Sequence, residues 1–357
     1  MGKSKQLPQK KGFSLSVLST SRDKLFGLAT LMVILFHSYI SIGTLLPNNP
    51  VLANVLNMVR SHCNKGVDMF LFMSGIGLYY SMSGKPKLRE FYKKRFVRIL
   101  PAVLIVSTIW FGIQGSAGLA GYLNNVFLIS FFTKGVRNFW YFALILILYI
   151  VYPLIHKLYE KTGAIGFISS VAIIVAVNEL LRATAPVDYS HMEIALTRIP
   201  VFLAGAWIGK HVKNGVTVSK LWVLASAIVI VGIYFFYYFK PLSESEFLHL
   251  YRYIGGFFGL AHVILFAFIF DKTAKGAFGT FLVWIGGYSM EIYLIHEKAA
   301  SILNKSFHTG DSSKIAFYIA IAVITILGAM ALKAACQSLE KNLFFKNDAK
   351  YQKKLKA

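Results

Sequence analysis

Apolar runs long enough to cross a bilayer recur from one end of this chain to the other, and that recurrence constrains the fold more than any other feature. A hydrocarbon layer about 30 Å thick takes about 20 helical residues to cross. Without water inside it the backbone must satisfy its own hydrogen bonds, so each run is read as an α-helix. The runs predict an all-α, polytopic integral membrane protein of about ten transmembrane helices. Approximate cores lie at 25–45, 67–83, 98–115, 138–156, 163–182, 194–210, 220–239, 253–270, 279–297 and 315–335. Residues 118–136 are amphipathic and interrupted by Gly and two Asn, and are read as an interfacial loop. With 56% hydrophobic and 15% charged residues, the chain lacks the polar shell a soluble domain requires. The first run follows a basic start, but it is long enough to span and has no small-residue cleavage site. An uncleaved first helix is expected.

The formal net charge is +23. With the N-terminus inside, 27 of the 38 Lys and Arg fall on the inner side, and the reversed topology would put most of them outside. Both termini are therefore predicted to be cytoplasmic, in a multi-pass protein of the cell (plasma or inner) membrane. The basic excess reads as a topology signal with affinity for anionic lipid, not as a nucleic-acid surface. The chain divides into a basic segment at 1–23, a ten-helix domain at 24–336 and a basic tail at 337–357. Cys63 and Cys336, expected on opposite membrane sides, give no disulfide or metal framework.

Ionisable side chains inside spans are expensive and mark interior cavities. The first run, KLFGLATLMVILFHSYISIGTLL, holds His37 about 20 Å along the helix from Lys24. At that depth the imidazole must be paired, face a polar cavity or serve chemistry. Asp68, Trp140, Tyr141, Arg198, Ser289, Tyr293, His296 and Glu297 fall at a similar outer depth. Several have plainer readings: Asp68 suits a helix cap, while Trp140 and Tyr141 suit an interfacial belt. His296 and Glu179 fit at headgroup level. On the inner face, Lys85, Lys87, Arg89, Lys93 and Lys94 suit a positive-inside anchor. Arg95 and Arg98, three apart on one helical face with Pro101 in the first turn of the span, also suit phosphate binding.

Taken together, FGLATLMVILFH, GVDMFLFMSG, FYKKRFVRILP, FWYFALILILYIVYPL, RIPVFLAGAWIG and WIGGYSMEIYLIH resemble, in order, the segments of the membrane-bound acyltransferase-3 family of bacterial O-acyltransferases. The resemblance implies a catalytic histidine at His37 and an Arg-x-x-Arg donor motif at Arg95 and Arg98. The family usually carries a basic residue eleven positions before the histidine; here that position is Phe26, with Lys24 and Arg22 upstream. It also implies transfer of an acyl group, commonly acetyl, from acyl-CoA to a hydroxyl of a surface or secreted glycan, with no bound cofactor or metal.

In that reading Asp68 orients His37, Trp140 and Tyr141 receive the sugar, and Arg198, Tyr293 and His296 are acceptor or oxyanion candidates. Direct transfer with His37 as general base is preferred over an acyl-histidine. A transporter or exporter of glycans or lipid-linked sugars is the competing class, and the absence of paired Gly/Pro-broken helices in matching halves counts against it.

Overall fold

The computed structural model describes residues 12–38, 42, 46–115, 118–239, 244–273, 276–306 and 314–344. The basic ends of the chain and the predicted outer end of the first span lie outside them.

The described chain is helical almost throughout. A two-residue strand β1 (Phe13–Ser14) precedes α1 (Val17–Thr20) and α2 (Arg22–Phe36). Then come α3 (Pro50–His62), α4 (Gly66–Ser83) and α5 (Leu88–Gln114). Two short helices, α6 (Gly118–Val126) and α7 (Ile129–Lys134), lead to α8 (Trp140–Thr162) and α9 (Ala164–Thr184). Next are α10 (Pro186–Leu196), α11 (Ile199–Lys213), β2 (Thr217–Val218) and α12 (Leu221–Phe239). The chain continues through α13 (Glu244–Thr273), α14 (Ala277–Gly287), α15 (Ser289–Ser306) and α16 (Lys314–Leu339).

By length and composition, six helices or continuous helical stretches among the described residues can cross a membrane: 88–114, 137–162, 164–184, 186–213, 252–273 and 316–342. The α14–α15 pair makes a seventh if counted as one span. The predicted span at 220–239 corresponds to α12, 19 residues long and strongly apolar; those at 25–45 and 67–83 correspond to α2, which is shorter, and α4, which is less apolar. The reason is visible in α4, which is buried along most of its length and meets protein where a peripheral helix meets lipid.

Three local differences from the sequence reading follow from backbone chemistry. Residues 118–136 form two helices, not a loop; they part at Leu128, whose φ of 64° ends the helical run. Pro101 sits well inside α5, because the basic segment before it is itself helical from Leu88. The missing proline N–H leaves the Val97 carbonyl without its helical donor. Residues 13–18, within the basic N-terminal segment, pack onto the helices. Phe13–Ser14 pairs antiparallel with Thr217–Val218, and Phe13, Leu15 and Leu18 are buried.

Two helix crossings set the frame for the site, and both depend on glycine. A Cβ on Gly75 of α4 would strike the Phe202 carbonyl of α11, and one on Gly205 of α11 would strike that of Phe72 on α4. Likewise Gly27 of α2 lies against the Leu282 carbonyl and Gly286 of α14 against that of Asp23. Small residues let backbones approach closely where apolar side chains supply little drive of their own.

Immediately after Gly286 and Gly287 the span bends by 78°, with Tyr288 between α14 and α15. Lys333 of α16 donates to the Gly287 carbonyl at 2.8 Å, and its Nζ lies 4.1 Å from the Tyr288 ring centroid. It thereby satisfies a backbone group at the break.

Candidate active site

His37 is the C-cap of α2, not a mid-helix residue. Its Nδ1 lies 3.0 Å from the Val33 carbonyl and 3.1 Å from Nε2 of His296. The His296 Nδ1 in turn faces the carbonyls of Ile292 and Tyr293, at 3.1 and 2.9 Å. The tautomers follow from these partners. His296 donates from Nδ1, so its neutral Nε2 is an acceptor. The His37 Nδ1 thus faces two acceptors and holds a proton, so Nε2 is the nitrogen whose proton can exchange. That atom lies 3.2 Å from Oε1 of Glu297. The His37 side chain is 29% exposed and that of Glu297 41%, so the pair is open at one side.

Lys298 fixes the carboxylate from behind. Its Nζ is 3.2 Å from Oε2 of Glu297, donates to the Asn138 carbonyl at 2.9 Å and lies 4.5 Å from the Phe139 ring centroid. With its side chain only 8% exposed, it is held in place by these contacts. One short stretch of α15, residues 296–298, thus supplies three of the four groups. The sequence places Glu297 at the depth of His37 without pairing the two, and passes over Lys298, which follows it directly after the last motif.

Asp68 does not reach His37 as expected; the carboxylate at that imidazole is Glu297. Asp68 is 3.0 Å from Nε of Arg198, with side chains 1% and 5% exposed, in a pair close as charges but out of hydrogen-bond alignment. Arg198 donates to the Ile194 carbonyl at 2.8 Å and stands 5.2 Å from the Trp140 ring centroid. The pair therefore locks the first turn of α4 to the start of α11 and to Trp140. Tyr141 packs on Tyr293 at 5.4 Å, and Tyr293 packs on His296 at 5.8 Å.

The arginine cluster lies at the other end of an aromatic column. Phe26 stacks on Phe70 at 5.4 Å, and Phe70 adjoins both Tyr141 and Tyr293. Beyond Phe26, the Arg22 guanidinium stands 4.6 Å from its ring centroid. Four positions make roughly one helical turn, so Arg22 and Phe26 share a face that Lys24 does not. The Arg95 guanidinium stands 5.9 Å from the Tyr149 ring centroid, and Arg22, Arg95 and Arg98 all lie within electrostatic range of its hydroxyl. Arg98 is also 3.5 Å from Glu291, a carboxylate with no exposed side-chain surface whose oxygens accept no aligned hydrogen bond. From Arg22 to His37 the distance along α2 is about 22 Å.

The chain matches the family profile described as an acyltransferase domain, Acyl_transf_3, over residues 27–334. It is a multi-pass membrane protein and belongs to the acyltransferase-3 family. Comparison with curated proteins and with solved structures gives no match.

Proposed function

We propose that this acyltransferase moves an acyl group, commonly acetyl, from cytosolic acyl-CoA to a hydroxyl of a cell-surface or secreted glycan. In this reading ten helices cross the cell membrane. They comprise the six long stretches, the bent α14–α15 pair, and α2, α4 and α12. Both termini lie in the cytoplasm, in keeping with the Lys and Arg distribution. The observation that carries the reading is the accessible His37, with one ring nitrogen committed and the other available as base, at the far end of a column that starts at three arginines.

The donor phosphates bind Arg22, Arg95 and Arg98 through charge-assisted hydrogen bonds, and the thin arm of the donor runs along the aromatic column toward His37. The acceptor hydroxyl enters beside Nε2 of His37. As its oxygen attacks the thioester carbonyl, its proton passes to Nε2. Glu297 then faces an imidazolium and stabilises it, with Lys298 holding the carboxylate in place. Collapse of the tetrahedral intermediate breaks the carbon–sulfur bond, and the proton returns from His37 to the leaving thiolate. Ester and free CoA are the products. His296 is a positioning residue, since its contact is with the ring of His37.

A carrier of glycans would be expected to repeat the α14–α15 break in a matching half, and among the described residues one such break occurs. The test is transfer of radiolabelled acetyl from acetyl-CoA to glycan in proteoliposomes. The wild type labels the glycan and His37→Ala, equally well inserted, does not. Label transfer retained by His37→Ala removes the assignment, and transport of unmodified sugar by the wild type removes the enzyme.

A further inference from the structure

A cavity lies away from the histidine cluster, where the ends of α4, α8 and α11 meet the start of α9. Its volume is about 260 Å³, and its walls include Tyr79, Tyr159, Glu160, Trp207, Lys210 and His211. We propose that it is the nucleotide subsite of the acyl-CoA donor, receiving the adenine ring. This rests on the donor assignment made above.

The size argues first. Pockets that enclose a whole drug-sized ligand run from about 300 to 1,000 Å³, so this one suits a single ring system and not an entire coenzyme. The lining is that of a base site. Trp207 is stacked on one face by Phe167, with centroids 4.9 Å apart and planes 11° off parallel, which fixes the indole as a platform. Glu160 presents a carboxylate for an exocyclic amine. It is held by Lys210 at 3.3 Å and by the Tyr79 hydroxyl, which donates across 3.5 Å. Lys210 and His211 stand ready for a ribose phosphate. An anionic lipid headgroup matches the cations but not the carboxylate between them.

The second, independent observation is Tyr152. It is 1% exposed, and its hydroxyl has no hydrogen-bond partner. A buried hydroxyl left in that state costs about 1–3 kcal/mol and marks a missing partner. That hydroxyl is within electrostatic range of Tyr79, Tyr159 and Glu160 in the cavity wall and of Arg95 in the arginine cluster. Arg95 itself reaches toward the Gly77 carbonyl at 3.5 Å, two residues from Tyr79. A ligand extending from the cavity to Arg95 would pass the orphaned hydroxyl and satisfy it.

The experiment measures binding of CoA and of 4′-phosphopantetheine, which lacks the nucleotide, to the full chain in nanodiscs. The expected result for Trp207→Ala is about tenfold weaker CoA binding, the scale of one base–aromatic stack, with phosphopantetheine binding unchanged. Trp207→Phe, which keeps a stacking face, retains CoA affinity within about threefold, and Glu160→Gln weakens CoA alone. Unchanged CoA binding in Trp207→Ala overturns the subsite and leaves the donor reading standing. So does equal weakening of both ligands that Trp207→Phe does not rescue. A wild type that binds neither ligand overturns both. A Trp207 effect seen in phosphatidylglycerol discs but not in phosphatidylcholine discs assigns the cavity to lipid and also overturns the proposal.

Discussion

The two charged regions of this protein are built to opposite specifications. At the His37 end each charged group stands against a counter-charge or a fixed acceptor. His37 is held between Val33, His296 and Glu297, and Asp68 and Arg198 are sealed together beneath Trp140. At the arginine end Arg22, Arg95 and Arg98 gather around one tyrosine hydroxyl, and the buried acid beside them, Glu291, lies 3.5 Å from Arg98 and within electrostatic range of Lys333. The first arrangement suits a reaction that needs one ring in one orientation. The second leaves positive charge in excess, as suits an anionic ligand that arrives and departs.

If that contrast is right, substitutions at the two ends will differ in kind. The largest effect is expected from His37→Ala, which should lower acyl transfer by about 10²- to 10⁴-fold, the usual contribution of a general base. Transfer to glycan in proteoliposomes measures it, with donor affinity unchanged. Asp68→Ala leaves Arg198 buried without its counter-charge and should cost about 3–5 kcal/mol of stability, read as a drop in the thermal unfolding temperature of the purified protein. A variant as stable as wild type would make this pair dispensable. Replacing Arg95 and Arg98 by Ala should weaken acyl-CoA binding by about ten- to hundredfold for each charged hydrogen bond lost. Equal weakening of donor and acceptor binding would erase the contrast.

Glu297→Gln keeps the shape but loses the charge beside the imidazolium. A fall in kcat of about tenfold, with KM for the donor unchanged, is expected from the loss of roughly 1.4 kcal/mol of transition-state stabilisation. The smallest and sharpest comparison is Arg22→Ala against Lys24→Ala. A severalfold rise in the Kd for acyl-CoA is expected only from the first.

Much of this fold was legible in the apolar runs, because a helix in lipid must announce itself in composition. The pairings were not, because runs that are apolar on every face do not say which face meets which neighbour. His37 and His296 are 259 positions apart, and nothing in either segment predicts their contact. The same limit explains Asp68: depth alone put it with His37, while its partner is Arg198. Arg22 was readable in principle, since four positions upstream of Phe26 is one turn along the same face, but attention to the nearer Lys24 obscures it. The bend at Tyr288 had its sign in the adjacent Gly286 and Gly287. A pair of glycines marks a weak point without saying whether the chain turns there.

That bend has a mechanical consequence. Helix α15 starts at the elbow and carries Glu291 beside Arg98 and, six residues further on, Glu297 beside His37. These two carboxylates ride on one rigid lever about 9 Å apart, pivoted at Tyr288. A tilt of α15 that moved Glu291 away from Arg98 would move Glu297 at His37 as well, so the two ion pairs are coupled through one helix.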